Sequence, residues 1–242
     1  MSTTFKILRF DPPKDERPHF QEYIHTPRPG DTMLEVLKEI RDEQDPSISF
    51  RYSCREAVCG SCALTINGTI CLACKKQFEA LKTDVVVIEP LPNLEIIKDL
   101  IVDFKPFWDA YNFIQPYLQP KGESVPEKGH CVDEKDMEKV FQYITCILCG
   151  SCYAACPVAT RDGRYIGPAA LAKLYRFAID PRDKRPWSAL ASVDNPNGVW
   201  GCDTVFRCND VCPKDVRPAD GIEGLRRKMI VDRTKHMFGR KK

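Results

Sequence analysis

The chain has 242 residues, with 36 Lys and Arg against 34 Asp and Glu, and a formal net charge of +2. Such a balance gives no electrostatic case for nucleic acid, and 43% hydrophobic with 29% charged residues is an ordinary soluble composition. No run approaches the roughly 20 apolar residues of a membrane span, and residues 1–10 lack the apolar stretch and cleavage site of a signal peptide, so a cytoplasmic chain is expected.

Phe5 to Phe10 alternates like a strand, and Tyr23-Ile24 suits its hairpin partner. Met33, Leu34, Val36, Leu37 and Ile40 fall at helical spacing, with Asp31 or Thr32 as cap and Glu35 placed to close a capping box. Ala63 to Leu72 predicts a hairpin around Asn67-Gly68, the preferred type I′ pair, and Asp84 to Ile88 a further strand. Short strands around one helix predict a β-grasp arrangement. After Pro90 and Pro92 the pattern turns helical over Asn93 to Trp108, Glu134 to Ile144 and Gly167 to Ile179, with no strand evident beyond residue 92 and a proline-bearing linker from Gln115 to Lys128. The fold class expected is α+β: a β-grasp domain over 1–98 and an all-α domain over 99–242.

Thirteen cysteines are too many for a reduced compartment unless they bind something, because disulfides are disfavoured there. Twelve fall in three tight groups and Cys131 stands apart. Cys54, Cys59 and Cys62 have the C-x4-C-x2-C spacing of plant-type two-iron ferredoxins, which need a distant fourth cysteine. A flat two-iron rhomb requires one loop to wrap it with amides aimed at sulfur, and Gly60 and Ser61 let the main chain come close. Cys71 and Cys74 are both candidates for the fourth ligand. Structural zinc is the rival, but its ligands usually form two separated knuckles rather than one loop.

Cys146, Cys149, Cys152 and Cys156, followed by Pro157, form the C-x2-C-x2-C-x3-C-P run of cubane ferredoxins, whose fourth cysteine ligates the other cluster in two-cluster versions. A second copy is present in altered form: Cys202, Cys208, Cys212 and Pro213 keep the spacing, with Val205 where the second cysteine would stand. Crossing the fourth cysteines assigns Cys146, Cys149, Cys152 and Cys212 to a [4Fe–4S] cluster. Cys156, Cys202 and Cys208 are left as three thiolates for a [3Fe–4S] cluster; a four-iron cluster with water at its fourth iron is the alternative. A high-potential three-iron cluster suits the quinone end of an electron wire. None of His19, His25, His130 and His236 sits in a catalytic motif, and no Gly-rich loop offers a nucleotide site. No catalytic residue is expected on this chain.

A two-iron domain, a cubane motif and a valine-interrupted motif in that order resemble the iron–sulfur subunit of the succinate dehydrogenase and fumarate reductase family. The segments that carry the resemblance are Arg51-Tyr52-Ser53-Cys54-Arg55, Cys59-Gly60-Ser61-Cys62, Leu72-Ala73-Cys74, Ile166-Gly167-Pro168-Ala169 and Cys212-Pro213-Lys214. The resemblance selects Cys74 as fourth ligand of the [2Fe–2S] cluster and leaves Cys71 and Cys131 as free thiols. It implies two partners: a flavoprotein subunit whose FAD interconverts succinate and fumarate, and a membrane anchor with the quinone site, which holds two haems b in the menaquinol-linked fumarate reductases. Electrons pass between them through the two-iron, four-iron and three-iron clusters in that order. The protein is then held peripherally at the cytoplasmic face of the cell membrane. Asn197-Gly198-Val199-Trp200 resembles fumarate reductases, and Leu225-Arg226-Arg227-Lys228-Met229 resembles their menaquinol-linked members. Val158-Ala159-Thr160-Arg161 stands where many succinate dehydrogenases carry tryptophans that contribute to the quinone site. A quinol:fumarate reductase subunit is therefore expected. The alternatives are succinate dehydrogenase working oxidatively and a carrier of an unrelated oxidoreductase.

Residues 226–242 hold eight Lys and Arg against one acid, either a solvated terminus or a segment drawn to an anionic leaflet. Phe104, Phe107, Trp108, Tyr111, Phe113 and Tyr117 are expected in an interdomain core, and Trp200 in packing.

Overall fold

The computed structural model describes the chain apart from Met1, 121–126, 128, 186 and 239–242, together with the side chains of 187 and 235–238. Part of the expected linker, the end of the basic terminus and the His236 side chain thus lie outside the described residues. The chain divides into two compact units, Met1–Pro106 with Ile147–Ala155, and Phe107–Cys146 with Cys156–Lys242. A break at 98/99 would cut through a hairpin of the first unit.

That unit opens on β1 (Thr3–Arg9) and β2 (His19–His25), followed by α1 (Met33–Glu43), β3 (Ala63–Ile66), β4 (Thr69–Leu72) and β5 (Val85–Glu89). The sheet order is β2-β1-β5-β3-β4, with β1 and β5 parallel and the other neighbours antiparallel. Alternation in β1 buries Thr3, Phe5, Ile7 and Arg9 on one face. Met33, Leu34, Val36, Leu37 and Ile40 of α1 are buried in the core that also holds Phe5 and Ile7. The capping box closes: Glu35 N–H donates to Thr32 Oγ1 at 3.3 Å, and Thr32 N–H to Glu35 Oε2 at 2.8 Å. Asn67 and Gly68 both take positive φ, as a type I′ turn requires.

The expected helix from Asn93 is replaced over its first half by β6 (Ile96–Lys98) and β7 (Ile101–Val102), and α2 spans only Lys105–Phe113. Asp99 (φ +47) turns this hairpin, and its buried carboxylate accepts from Arg9 Nε at 3.0 Å, Phe10 N–H at 3.0 Å and Ser49 N–H at 2.9 Å. Long-range partners therefore override the local apolar spacing.

The second unit is helical. After α3 (Glu134–Ile144), and with α4 (Ser151–Ala154) belonging to the first unit, come α5 (Pro157–Arg161), α6 (Pro168–Ala178), α7 (Trp187–Ala191), α8 (Arg207–Asp210) and α9 (Pro218–Phe238). α6 packs on α9 and on α3, burying Leu171, Leu174, Ile222, Leu225 and Met229. Of the aromatic set expected in a core, Phe107 is buried, whereas Trp108, Phe113 and Tyr117 are exposed. Trp200 is 39% exposed, with its Nε1–H donating to Asp194 at 2.6 Å.

Candidate metal centres

Cys54, Cys59 and Cys62 lie between α1 and β3, and Cys74 just after β4. Arg55 (φ +61) and Ala57 (φ +55) are left-handed, so the loop folds back and turns its amides inward. The N–H groups of Glu56, Val58 and Cys59 donate to Cys54 Sγ at 3.4, 3.3 and 3.2 Å, and Ala57 N–H to Cys74 Sγ at 3.2 Å. A nest of amides of this kind stabilises thiolate charge. Burial opposes ionisation of Cys59, yet hydrogen bonds from Ser61 and from the Cys54 backbone bring its thiol to about 6. Burial pushes Cys62 up to about 12, with the neighbouring sulfurs of Cys74 and Cys59 adding to it. Three cysteines on one loop with Cys74 beside them, met by inward-turned amides, are a donor set that fits a metal cluster. Cys71, in β4 opposite Leu64, is packed against the core and pushed up to about 11 by burial, and Cys131 is exposed. Among the described residues no three His, Cys, Asp or Glu converge as a site for a single metal ion.

The middle of the cubane motif is part of the first unit. Asn93 Nδ2 donates to Ala154 O at 2.7 Å, and Ala154 is buried in that unit's core. Cys149 lies against Gly60: a Cβ on Gly60 would come 2.7 Å from Cys149 Cβ. Gly60 is thus required by a neighbouring motif and not only by its own loop.

In the second unit the two motifs cross. Cys146 and Cys212 pack on the same small core of Tyr143, Ala172 and Val216, and Val216 N–H donates to Cys212 Sγ at 3.3 Å. Cys156, from the first motif, lines one pocket with Cys202 and Cys208 of the second. Val205, 51% exposed, lines the same pocket, so three sulfurs and an apolar side chain face one space. Burial raises Cys156 and pushes Cys208 up to about 12, with nearby Cys202 contributing to both. Three sulfurs from two motifs lining one pocket are a donor set that fits a cluster core. Sequence reasoning missed Tyr165, which is buried and lines this pocket together with Cys202. Burial, then the charges of Cys202 and Cys156, keep its hydroxyl protonated. Its one sequence signal is its place directly before Ile166-Gly167-Pro168.

Of the histidines, His25 pairs with Glu39 at 2.9 Å, while His19 and His130 are exposed. Among the described residues no helix is long and apolar enough to cross a membrane.

A 2Fe-2S iron–sulfur cluster binding domain family matches residues 4–109, and a 4Fe-4S dicluster domain family matches 142–216. The succinate dehydrogenase iron–sulfur subunit of Paracoccus denitrificans is 38% identical over 231 residues, which is 95% of this chain and 88% of that protein. The mitochondrial succinate dehydrogenase [ubiquinone] iron–sulfur subunit of Candida glabrata is 36% identical over 232 residues, 95% of this chain and 92% of that protein. A chain of the Mycobacterium smegmatis Sdh1 complex in the apo form superposes with a TM-score of 0.86 over 96% of each chain, at 21% identity, and so shares the fold. With two cluster-binding domains in this order and relatives this similar along 95% of its length, the chain belongs to the succinate dehydrogenase and fumarate reductase iron–sulfur subunit family.

Proposed function

We propose that the chain is the electron-conducting subunit of a membrane-bound quinol:fumarate reductase. The observation that carries the conducting role is the pocket of Cys156, Cys202 and Cys208 with Val205 in place of a fourth thiol. Cys54, Cys59, Cys62 and Cys74 hold [2Fe–2S]; Cys146, Cys149, Cys152 and Cys212 hold [4Fe–4S]; Cys156, Cys202 and Cys208 hold [3Fe–4S]. When bound, these clusters supply one-electron transfer over a range of potentials set by cluster type, hydrogen bonding and exposure. The chain's own residues orient the sulfurs, donate amides to them and exclude water. Bond-making chemistry belongs to a flavoprotein partner carrying FAD. A membrane anchor with the quinone site, and with haems b where it has them, holds the chain at the cytoplasmic face. The likeness of Asn197 to Trp200 to fumarate reductases, and of Leu225 to Met229 to their menaquinol-linked members, favours menaquinol-linked fumarate reduction.

The second reading is succinate oxidation, favoured by the names of the Paracoccus and Candida relatives. Turnover of the purified complex in both directions, with menaquinone and ubiquinone analogues, separates the two. Faster fumarate reduction with the menaquinol analogue is expected, and faster succinate oxidation with ubiquinone overturns the direction. Iron and acid-labile sulfide analysis of the same preparation tests the clusters, and zinc without iron overturns them.

A further inference from the structure

We propose that Arg226 is a positioning residue for the three-sulfur pocket, fixing the Cys202 loop and neutralising the Glu223 carboxylate beside it. The proposal rests on the assignment of a three-thiolate cluster to that pocket. Arg226 lies on α9 with its side chain 16% exposed, and each of its three guanidinium nitrogens donates a hydrogen bond. It donates to Val199 O at 2.9 Å, Cys202 O at 2.5 Å, Thr204 Oγ1 at 3.1 Å and Glu223 Oε1 at 2.5 Å. A single i,i+3 ion pair with Glu223 would be weak at a surface. Here the remaining donors tie down three points of the segment that carries Cys202.

That segment needs holding. Thr204 (φ +55) and Phe206 (φ +59) are left-handed on either side of Val205, a conformation non-glycine residues keep only when their surroundings impose it. The fastening reaches the sulfur: Thr204 accepts from Arg226 through its hydroxyl, and its own N–H donates to Cys202 Sγ at 3.4 Å. Arg226 therefore sets the orientation of an amide aimed at a ligand sulfur. A hydrogen bond to a ligand sulfur and the neutralisation of the nearby Glu223 carboxylate both favour the more negative, reduced state of a cluster, so both raise its potential. A lysine keeps the charge but has no planar fork to reach Val199, Cys202 and Thr204 together.

The test compares the purified complex carrying wild type, Arg226→Gln, Arg226→Lys and Thr204→Val. Amide exchange of residues 199–206, the oxidised-state paramagnetic signal and the midpoint potential of its cluster are measured. Arg226→Gln is expected to speed loop exchange by about tenfold or more, the scale of a lost charged hydrogen bond, and to lower the potential. Arg226→Lys is expected to lose the loop protection while keeping the potential above that of Gln. Thr204→Val is expected to show a smaller change in both. Wild-type exchange and potential in Arg226→Gln overturn the proposal. If that variant fails to assemble, wild-type values in both Arg226→Lys and Thr204→Val overturn it instead. A wild-type complex without a three-iron signal overturns the cluster assignment and the claim about potential, while loop exchange alone still decides the positioning role.

Discussion

Gly60 of the two-iron loop lies against Cys149 of the cubane motif so closely that an added Cβ would sit 2.7 Å from Cys149 Cβ and 2.9 Å from its Cα. Gly60 also has φ +75, a region where a side chain is strained. The loop of one proposed ligand set and a proposed ligand of the next are thus in direct contact through a residue with no side chain. In the proposed wire such an approach shortens the path between the two-iron and four-iron clusters.

Gly60→Ala is expected to destabilise the chain by about 1–3 kcal/mol, from left-handed strain plus overpacking. Because the obstacle is the Cys149 backbone and Cβ, the cubane segment has to move, so iron content and the reduced-state signals of both clusters should fall. Gly60→Asn separates the causes, since asparagine tolerates positive φ. If the approach to Cys149 dominates, Asn is as damaging as Ala; recovery by Asn in melting and iron analysis would assign the effect to φ alone.

The cysteine spacings were legible because cluster geometry constrains them locally: a loop must return to the same small cluster within a few residues. The capping box of Thr32 and Glu35 and the Asn67-Gly68 turn were legible for the same reason. Tyr165 and the role of Gly60 were not, because each is defined by a partner far along the chain, Cys202 and Cys149. The β6–β7 hairpin was misread as helix since its apolar residues carry no unambiguous period. What decides it is Asp99, whose partner Arg9 is 90 residues away.

Val205→Cys restores the missing position of the second cubane motif, in a pocket its side chain already lines. The expected outcome is a fourth iron, seen as loss of the oxidised-state paramagnetic signal and a gain of one iron per chain. An unchanged signal in well-folded protein would sink the crossed assignment of Cys156 with Cys202 and Cys208.

Tyr165→Phe removes a buried hydroxyl from the pocket that Cys202 also lines, while retaining the ring. Losing a hydroxyl donor from the proposed cluster pocket disfavours a reduced cluster there, so the midpoint potential should fall while iron content holds. Redox titration of the complex checks this, and a potential equal to wild type would make Tyr165 a packing residue.

Asp99 is 1% exposed and satisfies Arg9 and two backbone amides. Asp99→Ala leaves the buried guanidinium and both N–H groups short of an acceptor, at a cost of about 3–5 kcal/mol. The melting temperature of the first unit should drop accordingly. A shift no larger than that of an exposed substitution such as Glu16→Ala would show that water replaces the carboxylate.

The same network predicts a pH dependence. Burial opposes ionisation of Asp45, but hydrogen bonds from Ser47, Tyr23 and Arg9 outweigh it and hold the carboxyl well below the usual carboxylate range. A carboxyl depressed in the folded state contributes stability that is complete above its unfolded pKa of about 4 and is lost as pH falls toward the folded value. Between pH 7 and about 5 the contribution of Asp45 should therefore be flat, and it should shrink below about 4. Asp45→Asn cannot titrate, so the stability difference between wild type and this variant, measured at matched cluster content, should narrow as pH drops from 5 to 3. A difference that stays constant over that interval would mean the Asp45 carboxyl titrates alike in the folded and unfolded chains, and that Arg9 is held by Asp99 without it.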